Sequence, residues 1–395
     1  MSARLTDKVA IVGMGCTRFG ERWDQSADDL LIDAVRQCLA AAGGLDVAAV
    51  DAYWFATLAS ANSGLPLARA LKVARPVTRL ENLCASGSDA MRNAAFAVAS
   101  GACDVAMAVG VEKLKDSGFS GLVAPEAPGD NTAPAISAPA RYAMLPADYA
   151  HAYGVADADV RRAMTHIAWK NHANGAKNPE RAQYTRTVPK TTIDEAPRVA
   201  GDLGVFDCSG VADGAAAALV VRSADATRYT DTPMYLKALS LHTGASTGSM
   251  TAGHSHASFP EVVACAADAY AQAGIIDPRR ELSLAEVHDC FTPTELILME
   301  DLGFSARGHG WRDVLDGVYD LDGELAVNPD GGLKSFGHPV GASGLRMMFE
   351  LWLQFRGEAG ARQRPDVSLG LTQNMGGYPG ELVSFISIFG KEPPA

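Results

Sequence analysis

Two short segments of this chain begin alike and differ where chemistry would be done. Cys84-Ala-Ser-Gly87 is followed, eight positions after the cysteine, by Arg92; His338-Pro-Val-Gly341 is followed, eight after the histidine, by Arg346. Each opens a run with helical apolar spacing, Met91, Ala94, Ala95 and Val98 in one, Leu345, Met348, Phe349 and Trp352 in the other. A helix start favours negative charge, so Cys84 is expected to be a thiol acidified below its free value of about 8.5. Ala85, Ser86 and Gly87 leave room for a substrate carbonyl and free backbone N–H groups for an oxyanion. A cysteine so placed can form a thioester, and an imidazole at His338 can take its proton. The plainer alternative for Cys84 is a packed core cysteine.

His288-Asp-Cys290-Phe-Thr292 follows the strand-like Leu284–Val287, so it falls at a strand's C-terminal end, where α/β folds place active sites. Two positions apart on extended chain, His288 and Cys290 share a face, and Cys290 offers a second thiol for proton transfer. It also reads as a filler cysteine. Asn374-Met-Gly376-Gly377 closes the last strand-like segment, and its glycines are expected to form a turn with N–H groups aimed at a ligand.

The elements that position these residues repeat. Val9–Gly13 is strand-like, 28–42 helical and Tyr53–Ala56 strand-like ahead of Cys84; Met234–Leu239, 260–273 and Leu284–Val287 do the same ahead of His338. Strand, helix, strand, reactive turn, helix, strand, twice over, predicts an α/β fold of two duplicated halves with converging active ends. Generic α/β periodicity is the alternative. The expected division is an N-terminal half at 1–112 plus 200–232, an inserted loop domain at 113–199, and a C-terminal half at 233–395. The insertion opens on the breaker-rich 118–140 and turns helical at 141–175.

Composition narrows the classes. The chain has 395 residues, 20% charged and 48% hydrophobic, enough for a large buried core. Its net charge of −12 argues against nucleic acid as a partner. No apolar run reaches the roughly 18 residues of a membrane span, and the N-terminus lacks a signal-type core, so the expected compartment is the cytoplasm. Seven cysteines with no pair nearer than 19 positions make neither a disulfide framework nor a metal knuckle. His254-Ser-His256 lacks further ligands, and no metal is expected. Residues 141–198 hold nine basic side chains against six acidic ones, either a solvated helical surface, a seat for an anionic cofactor's phosphates, or a subunit contact. Val9-Ala-Ile-Val-Gly13-Met-Gly15 is not a dinucleotide loop, because the third glycine position is Arg18.

Taken in order, Cys84-Ala-Ser-Gly, Asp213-Gly-Ala-Ala, His288-Asp-Cys-Phe, Gly337-His-Pro-Val-Gly-Ala-Ser-Gly and Asn374-Met-Gly-Gly resemble the motifs of the thiolase superfamily. The likeness spans nearly the whole chain and is nearest to the sterol-carrier-protein-type thiolases and their prokaryotic relatives. It implies a five-layered αβαβα fold, at least a homodimer, and coenzyme A as substrate and product with no tightly bound cofactor. It makes Cys84 the acyl-carrying nucleophile and His338 the residue that activates it and lines the enolate oxyanion hole. His288 would complete that hole, and the N–H groups of Cys84 and Gly376 would form a second. Where ordinary thiolases carry another cysteine this chain has Gln373 or Asn374, which leaves Cys290 as the acid/base. The implied reaction is CoA-dependent cleavage of a 3-oxoacyl-CoA or the reverse Claisen condensation. A decarboxylating condensation and a non-catalytic partner subunit are the alternatives. Relatives with this motif set often work with a small zinc-ribbon/OB-fold subunit.

Overall fold

In the computed structural model, residues 5–117, 136–245 and 254–394 are described. The strands are β1 (Val9–Cys16), β2 (Ala52–Ala56), β3 (Val77–Leu80), β4 (Val105–Lys113), β5 (Arg198–Ala200), β6 (Leu203–Gly204), β7 (Asp213–Arg222), β8 (Met234–Thr243), β9 (Leu284–Glu286), β10 (Ala326–Val327), β11 (Leu369–Tyr378) and β12 (Glu381–Gly390). The helices are α1 (Ala27–Ala41), α2 (Leu65–Leu71), α3 (Ser86–Ala99), α4 (Ala138–Tyr142), α5 (Leu145–Tyr153), α6 (Asp157–Ala176), α7 (Lys190–Asp194), α8 (Pro260–Ala273), α9 (Pro278–Glu281), α10 (Thr292–Asp301), α11 (Gly310–Leu315), α12 (Gly332–Phe336) and α13 (Val340–Arg356).

The duplication is visible in strand order. The N-terminal half runs β1-β7-β4-β2-β3 and the C-terminal half β8-β12-β11-β9-β10. In each the first two pairings are antiparallel and the last two parallel. The halves are joined edge to edge through β1 and β8, at Ala10 with Tyr235 and Ile11 with Met234.

Strand alternation then builds the layers. On β7, Ala216, Ala218 and Val220 face a central core, while Ala215, Ala217, Leu219 and Val221 face an outer one with α1. The central core also takes Met91, Ala94 and Val98 of α3, Leu345, Met348 and Trp352 of α13, and Leu236, Phe385 and Phe389 of the second half. A third core lies outside the second half, beneath α8 and α10. Helices, sheet, paired central helices, sheet, helices: five layers, as expected.

The central helices touch through glycine. A Cβ on Gly87 would lie 2.7 Å from the Gly341 carbonyl oxygen, and one on Gly344 2.1 Å from Ser88 Oγ. Gly13 and Gly15 do the same for α1: a Cβ would sit 2.4 Å from the Cys38 oxygen or 2.1 Å from that of Ala34. Those two glycines therefore serve helix–sheet packing.

Helices α4–α6, in the stretch expected to be the inserted loop domain, pack on the second half. Tyr142, Leu145, Tyr149, Val160, Met164 and Ile167 share one core with Val262, Leu296 and Leu298. Most of its basic residues are spent internally. Arg161 pairs with Asp207 and Lys170 with Glu295 at 2.9 Å; Arg162 pairs with Asp159; Arg141 lies over Tyr378 and Lys190 over Trp169.

Candidate active site

Cys84 and His338 each sit two residues ahead of a central helix, Cys84 before Ser86 and His338 before Val340. Because α3 and α13 meet face to face, the two turns open on each other. The turn into α3 is tight: Leu83 has a φ of 52°, a left-handed conformation that costs a branched residue about 1–2 kcal/mol. Ser86 holds it, receiving the Asn82 N–H at 2.8 Å and donating to the Leu83 carbonyl at 2.5 Å. Asn82 Nδ2 donates to Asp89 at 2.7 Å.

The Cys84 sulfur and one ring nitrogen each from His288 and His338 lie within 4.8 Å of one another. The two imidazoles stand edge to face, centroids 5.4 Å apart. His338 is fully buried, and its backbone N–H donates to the Gly210 oxygen at 3.0 Å. Ser343 Oγ donates to the Pro339 carbonyl at 3.0 Å and accepts His338 Nδ1–H at 2.7 Å. That fixes the tautomer: Nε2, which has no hydrogen-bond partner, presents a lone pair toward the thiol. His288 Nδ1 is 3.0 Å from Asn374 Oδ1, and Asn374 Nδ2 is 3.1 Å from Ser88 Oγ. Since Ser88 can donate or accept, the carboxamide can hold His288 in either tautomer. With the amide nitrogen turned to Nδ1, His288 offers an Nε2–H to an oxyanion.

Cys84, His288 and Cys290 line one pocket with Leu58, Leu83, Ala138, Tyr142, Phe291, Val340, Gly377 and Tyr378. Its empty volume is about 470 Å³. Cys290 is buried, its sulfur 3.9 Å from Thr294 Oγ1. Between His288 and Cys290, Asp289 turns away to cap α12, accepting the N–H groups of Leu333 at 2.6 Å and Lys334 at 3.1 Å. This anchor keeps its neighbours on the pocket side.

Burial sets the protonation states. It pushes the Cys84 thiol up to about 12, and the nearby Glu112 carboxylate adds to the rise. Against the acidified thiol expected from a helix start, burial is the largest influence on Cys84 and acts upward. Burial holds His288 down at about 3 and His338 well below the usual imidazole range, the latter also through its neighbour His288. Cys290 is raised well above a free thiol, first by burial and then by Cys84. The resting site is a neutral thiol facing neutral imidazoles.

Asn374–Gly377 is also corrected. It is no turn but part of β11, in register with Val383 and Leu382 across β12. Gly376 nonetheless adjoins the nucleophile, for a Cβ there would lie 2.9 Å from the Cys84 backbone nitrogen. The roles of Ser343, Asn374 and Tyr142 were not foreseen from sequence. Only the Ser343 spacing, five residues after His338 on one helical turn, carried a local signal. His256 lies outside the pocket, its Nδ1 2.6 Å from Asp148. Cys84, His288 and His338 are a donor set a soft metal ion could take, yet a thioester nucleophile needs its sulfur lone pair free. All seven cysteines are free thiols.

A cysteine and a histidine at the converging starts of two central helices, with a second histidine at a strand end beside them, mark the site of this duplicated five-layer α/β fold. Residues 9–224 match the thiolase N-terminal domain family, and residues 243–390 the thiolase C-terminal domain-like family. The chain belongs to the thiolase family. It is 35% identical over 390 residues to an acetyl-CoA acetyltransferase of Methanothermobacter thermautotrophicus, covering 94% of this chain and 97% of that protein. To human sterol carrier protein 2 it is 28% identical over 401 residues, covering 93% of this chain and 70% of that one. Among solved structures, an Ltp2-ChsH2(DUF35) aldolase superposes with a TM-score of 0.83 at 24% identity, covering 99% of this chain and all of that one. Human mitochondrial 3-ketoacyl-CoA thiolase gives 0.69 at 19% identity, with 98% and 100% covered. No described helix is long and apolar enough to cross a membrane.

Proposed function

We propose that this protein is an acyl-CoA C-acyltransferase that carries its acyl group as a thioester on Cys84. The observation that carries this is the meeting of the Cys84 sulfur with His338 and His288 nitrogens within 4.8 Å in a pocket shared with Cys290. His338 Nε2 takes the Cys84 proton as the sulfur attacks the acyl-CoA carbonyl. Cys290 gives its proton to the departing CoA sulfur and is left as a thiolate. That thiolate removes the α-proton of a second acyl-CoA, whose enolate oxygen rests on His338 and His288. The enolate carbon attacks the thioester, whose oxyanion is met by the N–H groups of Cys84 and Gly376. The Cys84 sulfur leaves and recovers its proton from His338. Run backwards, the same steps cleave a 3-oxoacyl-CoA with CoA. No decarboxylation is needed, and Cys290 has a task in each half-reaction.

The reading places the enzyme in the cytoplasm, where seven free thiols stay reduced. It is read as a homodimer, with β3 offering an open sheet edge to a second copy. A DUF35-type small subunit is proposed as a further partner, because the similar Ltp2 structure is described with one.

The test is intact-protein mass spectrometry after incubation with acetyl-CoA. An acetyl adduct on the wild type, absent from Cys84→Ala of unchanged circular dichroism, is expected. No adduct on the wild type would leave a non-catalytic scaffold. Cys290→Ala should slow cleavage of acetoacetyl-CoA by about 10²–10⁴-fold, the usual contribution of a general acid/base. A normal rate in that variant would move proton transfer to His288.

A further inference from the structure

We infer that Tyr142, the last residue of α4 in the insertion, is the positioning residue of Cys290, its hydroxyl turning from the Gly377 carbonyl to the Cys290 sulfur when that sulfur is a thiolate. The inference rests on the proposed acid/base role of Cys290.

Four observations meet on this side chain. Tyr142 is only 3% exposed yet lines the same pocket as Cys84, His288 and Cys290. Its ring is clamped, 4.5 Å from the Phe291 centroid and 6.4 Å from that of Tyr378. Its hydroxyl donates to the Gly377 oxygen at 3.0 Å, which fixes the oxygen's place. Phe291, the ring against it, directly follows Cys290, so the hydroxyl and the Cys290 sulfur share one end of the pocket, where each influences the other's ionisation. The other polar neighbour of that sulfur, Thr294 Oγ1, is 3.9 Å away.

The chemistry favours such a donor. A thiolate buried beside Cys84 and Asp289 has lost its water, and beyond the positive charge the mechanism puts on His338 at that moment, a hydrogen bond to the sulfur itself lowers the cost of holding the anion between the two half-reactions. A phenol with two acceptors in reach solves this by rotation alone. While Cys290 is a thiol, the phenol O–H points at the Gly377 oxygen; once Cys290 has protonated the CoA sulfur, the O–H swings to the new anion. After the α-proton moves from substrate carbon to sulfur, leaving its electron pair in the enolate, the O–H swings back. No proton leaves Tyr142, whose own ionisation burial pushes far out of range. Among the described residues, the titratable groups around the pair are Cys84, His288, Asp289 and Tyr378, with Arg141 stacked on Tyr378 at 4.3 Å.

Tyr142→Phe keeps the clamped ring and removes the donor. In a Cys84→Ser background, which silences the other pocket thiol, the pH dependence of Cys290 alkylation by iodoacetamide is read by peptide mass mapping. The midpoint should rise by about one to two pH units on adding Tyr142→Phe, as for loss of a hydrogen bond to a charged group. With Cys84 intact, exchange of acetyl-CoA α-protons with deuterated water should fall about 10- to 100-fold in Tyr142→Phe. An unchanged midpoint and exchange rate would overturn the inference, provided Cys290→Ala abolishes exchange. Full exchange in Cys290→Ala would instead remove the Cys290 reading itself, and this inference with it.

Discussion

At the scale of single residues, the site works by withholding charge until substrate arrives. Burial raises the Cys84 thiol and lowers the His338 imidazole, which disfavours proton transfer between them at rest. The transfer becomes downhill only as the sulfur bonds to the acyl carbon and loses its basicity. Ultraviolet absorbance, compared between wild type and Cys84→Ser, should therefore show no thiolate from Cys84 up to about pH 9, because burial raises a thiol. The acylation rate should likewise be nearly flat between about pH 6 and 9, both groups keeping their resting state across that window. A thiolate signal appearing near pH 6 would mean that a Cys84–His338 ion pair exists after all. The residue types were legible from the chain, since Cys84, His288, Cys290 and His338 all converge. Their ionisation was not, because a helix start is visible in a sequence and the depth of burial is not. Nor could Asn374 and Tyr142 be read, their hydrogen bonds being made across 86 and 235 positions of chain.

At the scale of elements, the geometry depends on how closely α3 and α13 approach. Gly344 is the tightest point next to the site: a Cβ would meet Ser88 Oγ at 2.1 Å and Asn374 Nδ2 at 2.5 Å. Both belong to the chain of contacts that holds His288. Neither can retreat freely, since Ser88 is fully buried in α3 and Asn374 is fully buried in β11. Gly344→Ala should thus cost about 1–3 kcal/mol of stability by overpacking, measured by urea unfolding. It should also cut carbon–carbon bond cleavage more than thioester formation on Cys84, because His288 moves while Ser343 keeps His338 in place. Equal losses in the two half-reactions would mean that the helix pair shifts as a body. Helix periodicity showed that these two elements existed and were twins. That they touch through Gly87, Gly341 and Gly344 was not legible, because a glycine in a helix start reads equally as capping, flexibility or contact. The expected glycine turn at Asn374–Gly377 failed for a related reason: strand pairing with β12 overrode local turn chemistry.

At the scale of the whole molecule, the fold buries groups of both kinds whose titration works in opposite directions. Glu286, raised well above a carboxyl's range, and Asp301, raised to about 6, hold protons in the native state that the unfolded chain releases, so their contribution is lost as pH rises. His172, His288 and His338 do the reverse: each is held neutral, the unfolded chain binds the proton first, and stability is lost as pH falls. His172 isolates this effect away from the site. It is buried between Tyr184 and Phe206, and neither ring nitrogen has a hydrogen-bond partner. Burial and the Lys334 cation hold it at about 3 against 6.5 for the free group. Between those values the unfolded chain carries one more proton at this residue than the native one. His172→Phe loses no hydrogen bond and removes that proton. Its unfolding free energy should therefore change less steeply with pH than the wild type's, by up to one proton, or about 1.4 kcal/mol per pH unit. Urea midpoints of both proteins across pH 4–7 read the difference directly, and the opposing carboxyls cancel in the comparison. Parallel curves would mean that His172 binds its proton in the folded state, with the insertion opening around it as the acid end is approached.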